Sequence, residues 1–171
     1  MAGRWRSHGF SLVEMVIYIA LLTLLLLALL SAVELMLRSW GDVQSRTALM
    51  QSGASSMEDM VRAIRNAGSI NSGGSIFSAS PGSLELNTTI SGSPTTQTFS
   101  VSGGMLEEVQ GSDLAEALLQ SGVSVESLTF YEITTPNSQA VRIVLQLQGA
   151  STGASPLSAT FYDTAVLRGS Y

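Results

Sequence analysis

Hydrophobic side chains are distributed very unevenly along this chain, and their pattern changes twice. From Phe10 to Leu37 the only charged residues are Glu14 and Glu34, and Met15 to Leu30 carries no charge at all. About 20 apolar residues span the roughly 30 Å of a bilayer's hydrocarbon, so this stretch predicts a membrane-crossing helix. Beyond Leu35 the pattern turns amphipathic: Met36, Trp40, Val43, Thr47, Met50, Ala54, Met57, Val61 and Ile64 recur at alternating steps of four and three. That spacing lines one face of a helix. No proline or glycine lies between Phe10 and Trp40, so nothing obliges a kink. Asn66-Ala67-Gly68 supplies the stop, with Gly68 in the position that favours a left-handed cap. One helix of about 55 residues would be roughly 80 Å long. It must bury its apolar stripe on something, and Val43, Met50, Met57, Val61 and Ile64 are the residues expected to face a sheet.

From residue 68 onward the period drops to two. Leu84 and Leu86 flank Glu85, Phe99 and Val101 flank Ser100, and Met105 to Val109 follows a Gly103-Gly104 turn. Val123 to Ile133 is a longer strand whose apolar phase slips between Val125 and Leu128, the mark of a bulge. Val141, Ile143, Leu145 and Leu147 alternate cleanly, and Leu157 opens a last strand reaching Leu167. Ser72-Gly73-Gly74 and Pro81-Gly82 read as turns, and Asp113 to Gln120 as one or two helical turns. Strands in series with short connections predict a small antiparallel sheet with one covered face. The expected fold is therefore α+β, a long N-terminal helix packed on a small C-terminal antiparallel sheet. Its expected divisions are 1–9 a basic leader, 10–37 the apolar helix, 38–67 the amphipathic helix, and 68–171 the β domain.

Charge and composition narrow the chemistry. The chain has no cysteine, which excludes disulfides and thiol nucleophiles. Its one histidine is His8, so neither a catalytic site, a metal site nor a cofactor is expected. All eight basic residues are Arg, and Arg4 and Arg6 precede the apolar run. That asymmetry puts the N-terminus in the cytoplasm and the β domain outside. Without residues 1–9 the chain would hold 6 Arg against 13 Asp plus Glu. It would lack the basic footprint of a nucleic-acid binder.

Glu14 is the anomaly, because a carboxylate deep in a bilayer costs about 2.5–3.5 kcal/mol on insertion scales. Ser11-Leu12-Val13-Glu14 matches a capping box, in which Glu14 would bond back to the helix start. A second reading comes from "RSHGFSLVEMVIYIALL", residues 6–22, which resembles the prepilin-type leader and first residues of type IV pilins and pseudopilins. The resemblance implies cleavage after Gly9 by a prepilin peptidase, N-methylation of the new N-terminal Phe10, and an assembly role for Glu14. A secondary ammonium at Phe10 would lie only about 6 Å along the axis from Glu14. In that family the glutamate meets the N-terminus of a neighbouring subunit, and in apolar surroundings such charges attract strongly. The late stretches "VESLTFYEI", "VRIVLQLQG" and "TAVLRGSY" resemble the C-terminal strands of minor pilins and J-type minor pseudopilins. The implied partners are the prepilin peptidase/methyltransferase, other pilin or pseudopilin subunits, the inner-membrane assembly platform, and lipid before assembly. The expected location is the cytoplasmic membrane and then a pilus or pseudopilus. The competing expectation is a non-polymerising, single-span anchored domain that binds something at the cell surface. A secretory signal peptide fits less well, since its apolar core is about 7–15 residues.

Overall fold

The computed structural model describes residues 11–136, 138–150 and 157–168, and of Arg38 the backbone alone. The chain divides into two compact units, residues 1–40 and 41–171. One helix, α1 (Leu12–Asn66), runs through the first unit and into the second. Eight strands follow: β1 (Ser69–Ile70), β2 (Leu84–Ile90), β3 (Ser93–Ser102), β4 (Met105–Gln110), β5 (Glu116–Ala117), β6 (Val123–Thr135), β7 (Ser138–Gly149) and β8 (Leu157–Val166).

In the first unit no described large hydrophobic side chain is buried. Between Leu12 and Leu37 every large hydrophobic side chain is 49–80% exposed. Length and composition suffice for this part of the helix to cross a membrane.

In the second unit the α+β fold expected from the pattern is present, with its strands divided over two antiparallel sheets rather than one. Strands β1 to β5 form a meander in sequence order, and β6, β7 and β8 form a second sheet. The β3–β4 turn is Gly103-Gly104, both at positive φ, and Ser91-Gly92 does the same for β2–β3. Two-residue turns of that hand match the twist of the strands they join. Strand β6 slips register between Val125 and Ser127, where the apolar phase predicts the bulge. Its outer edge is covered, because the Ser78 and Gly82 amides donate to the Phe130 and Leu128 carbonyls, each at 2.8 Å. The Val125 amide donates to Gly104 O at 2.8 Å and ties the two sheets together.

The core lies between helix and sheets. Leu84, Leu86, Phe99 and Leu106 come from the first sheet, Leu128, Phe130, Ile143, Leu145 and Leu147 from the second, all fully buried. From α1 come Leu49, Met57, Met60, Val61, Ala63 and Ile64.

Three local expectations are corrected. Asp113–Gln120 forms β5 and irregular chain with bends, not helical turns. The Leu118 amide donates to Leu106 O at 2.9 Å, so pairing along the edge of β4 outweighs local preference. Gly68 is not a left-handed cap, since its φ is not positive. Its amide donates to Asn87 O at 2.9 Å and starts β1, while the Ala67 amide closes the last helical turn on Ala63 O and Ile64 O. The third correction concerns which face of the helix is buried.

Candidate functional site

Two parts of α1 carry the candidate residues. At its start, Ser11 precedes the first turn, its carbonyl accepting from the Met15 amide at 3.1 Å, and Glu14 sits within that turn. A negative charge there is favoured by the helix dipole. The Glu14 carboxylate does not reach back to Ser11; it accepts a hydrogen bond from Tyr18 Oη one turn on, at 3.1 Å. The sequence alone gives Tyr18 no role. Its spacing of four from Glu14 is the signal that pairs them.

The remaining hydroxyls of the apolar stretch are also satisfied within the helix. Thr23 Oγ1 donates to Ala20 O at 2.8 Å and Ser31 Oγ to Leu27 O at 2.9 Å. A segment with no water around it must meet its own polar groups this way. What remains on the surface is a sleeve of Leu, Ile, Val and Met, too large an apolar area to stand in water.

Further along, Met57, Val61 and Ile64 are buried against the sheets, but Val43 and Met50 are 64% and 48% exposed. The buried face runs instead through Leu49, Ser52, Gly53, Ser56, Met60 and Ile64. The reason is closeness of approach. A Cβ on Gly53 would lie 2.2 Å from the Phe161 ring, so β8 presses on the bare helix backbone there. Ser56, fully buried, donates to Leu118 O at 3.2 Å, and buried Ser52 accepts from the Gln120 amide at 3.3 Å. Small polar residues hold this contact, so a search for large apolar side chains settles on the neighbouring face.

Enzyme-like features are few. Among the described residues no group of three or more His, Asp or Glu is placed to hold a metal ion. A polar groove of about 500 Å³ lies between Asp59, Arg62 and Asn66 of α1 and Thr88, Gln97 and Glu108 of the first sheet. Glu108 accepts there from the Gln97 and Gln110 side-chain amides. Arg62 pairs with Glu58 at 2.7 Å, both side chains well exposed.

The apolar sleeve, with a carboxylate in its first turn, leaves the identity of the segment before it as the deciding observation. Residues 6–30 match the Prokaryotic N-terminal methylation motif. The motif is that of pilin-like chains whose N-terminal helix anchors them in the membrane and which a prepilin peptidase processes. It takes in Arg6, Gly9, Phe10 and Glu14 and stops well short of the β domain. Gly9, Phe10, Arg4 and Arg6 lie outside the described residues. No curated protein and no solved structure matches the chain.

Proposed function

We propose that this chain is a structural subunit, of the minor class, of a type IV pilus or a type II secretion-like pseudopilus. It is inserted once in the cytoplasmic membrane with its N-terminus inside. Cleavage between Gly9 and Phe10 and N-methylation of Phe10 follow. The subunit then assembles on an inner-membrane platform by packing its helix against those of other subunits. The observation that carries this reading is the methylation motif over residues 6–30, continuing into a helix whose large apolar side chains are all exposed as far as Leu37. Such a surface dissolves in lipid and can equally be buried against like helices. Glu14 is the recognition element: beside a neighbour's Phe10 ammonium its charge is matched, and the pair sets the axial register between subunits. Assignment to the minor class rests on the unbroken first helix, the J-like strands and the absence of cysteine. The acidic balance of the mature chain gives no support to direct nucleic-acid binding.

The test is the intact mass and N-terminal fragmentation of the protein purified from its own membranes. A chain beginning at N-methyl-Phe10 is the expected result. A chain beginning at Met1 or Ala2 would overturn the proposal in favour of a plain surface anchor. A start beyond residue 30 would make the segment a secretory signal.

A further inference from the structure

Only one face of the β6–β7–β8 sheet lies against the rest of the domain. Phe130, Ile143 and Leu145 belong to that face and are fully buried. On the opposite face the register sets Thr129–Val144–Tyr162 in one row and Tyr131–Arg142–Thr164 in the next. Tyr131 and Tyr162 are 41% and 64% exposed, and Arg142 stands exposed on the middle strand. All 13 Asp and Glu residues of the chain lie among the described ones, and none forms an ion pair with Arg142. This face therefore offers two aromatic rings and an unmatched guanidinium.

The spacing of the tyrosines says what could lie on them. Tyr131 on β6 and Tyr162 on β8 are two strands apart and one same-face step along, which puts their Cα atoms about 12 Å apart. In an extended β-1,4-linked polysaccharide each sugar is turned half a revolution from the last, so every second ring presents the same face. Two tyrosines at this separation match that repeat, each stacking on the apolar face of one ring. Arg142 lies on β7 between them, where a guanidinium can take a carboxylate bidentately. The Thr129 and Thr164 hydroxyls share the two rows and can donate or accept hydrogen bonds to sugar hydroxyls. The size of the face argues against a protein partner. Three strands wide and a few rows long, it covers about 300 Å², against about 800 Å² per partner in a stable protein interface.

We propose that this face binds a glycan strand of the cell wall, an extended β-1,4-linked chain in which every second sugar carries a carboxyl-bearing substituent. Tyr131 and Tyr162 stack on its rings, and Arg142 holds a carboxylate between them. The contact involves no second copy of this chain and does not need filament assembly. It rests on one part of the proposed function, the orientation that puts the β domain outside the cytoplasmic membrane, where such a glycan lies.

The test uses the full chain, purified in detergent from its own membranes and sedimented with isolated peptidoglycan sacculi. The N-terminal mass is read on the same preparation. Co-sedimentation is expected, and solubilised glycan strands should compete about tenfold better than cellohexaose, a β-1,4-linked chain without carboxylates. Tyr131→Ala and Tyr162→Ala should each weaken binding about fivefold, and Arg142→Glu about tenfold. Tyr162→Phe keeps the ring and should bind like the unaltered chain. These side chains are exposed, so every variant should keep the unaltered melting curve, which separates lost binding from lost folding. No sedimentation, or sedimentation indifferent to the Tyr and Arg variants, would overturn the glycan site and leave the subunit reading standing. A chain that begins at Met1 or Ala2 yet binds through these residues would do the reverse. Equal competition by cellohexaose would overturn the carboxylate contact of Arg142.

Discussion

Gly53 occupies a position where a methyl group has no room. Its absent Cβ leaves space for the Phe161 ring, which a methyl would meet at 2.2 Å. Replacement by Ala would improve helix propensity by about 1 kcal/mol, but overpacking costs about 1–3 kcal/mol. We therefore expect Gly53→Ala to destabilise the domain by about 1 kcal/mol, seen as a lower urea midpoint for the full chain in detergent. Ser56 is the polar counterpart. Ser56→Ala removes the donor to Leu118 O and should cost about 1 kcal/mol more. At the other end of the helix, Glu14→Ala removes a charge that insertion into lipid penalises, so membrane recovery should hold or rise. Incorporation into sheared filaments, measured as the filament-to-membrane ratio on immunoblots, should fall at least tenfold. An unchanged ratio would leave Glu14 with only its first-turn and Tyr18 interactions.

At the scale of elements, the second half of α1 can be tested by contrast. Leu49 and Ile64 are fully buried, whereas Val43 and Met50 are largely exposed. Leu49→Ala and Ile64→Ala should each cost about 2–5 kcal/mol. Val43→Ala and Met50→Ala should stay within about 0.5 kcal/mol. Equal losses from both pairs in a denaturation series would return the buried face to the stripe read from large side chains. That stripe was partly legible, through Met57, Val61 and Ile64. Its upper portion was not, because Ser52, Gly53 and Ser56 look like solvent-facing residues until a ring and two backbone groups are set against them. The strands were more legible. Strict alternation marks β7, and a slipped phase marks the β6 bulge, since side-chain period two is a local property. The short strands β1 and β5 were missed because two residues carry no period, and their existence depends on partners at Asn87 and Glu108. The division into two sheets was equally hidden. It is set by which edges are capped by the 76–83 segment and the Gly104 carbonyl, contacts distant in sequence.

At the scale of the whole molecule, the matched motif ends at residue 30, before the first buried side chain among the described residues. Residues 6–30 match a family motif made of local chemistry: a small residue, an aromatic, a carboxylate and an apolar run. The β domain follows a less recognisable sequence, because many combinations of aliphatic residues fill a core equally well. Among the described residues, the buried hydrophobic ones all lie at or beyond Leu49, so the second unit carries its own core. A chain lacking residues 1–40 should therefore be soluble without detergent and give a cooperative melt with a β-rich circular dichroism spectrum. Aggregation or a non-cooperative melt would show that the first unit is needed for folding.

The Ser52–Gly53–Ser56 contact also has a mechanical meaning. In the proposed assembly, tension along a fibre would enter the domain through α1. The ring of Phe161 seated on Gly53, together with the two serine bonds to residues 118–120, acts as a key in a shaft. It opposes both sliding and twisting of the helix against the sheets. Under axial load these contacts are strained in shear and must give way together, instead of peeling one after another. By the same logic, Gly53→Ala should weaken the resistance of the subunit to pulling more than its small equilibrium cost implies.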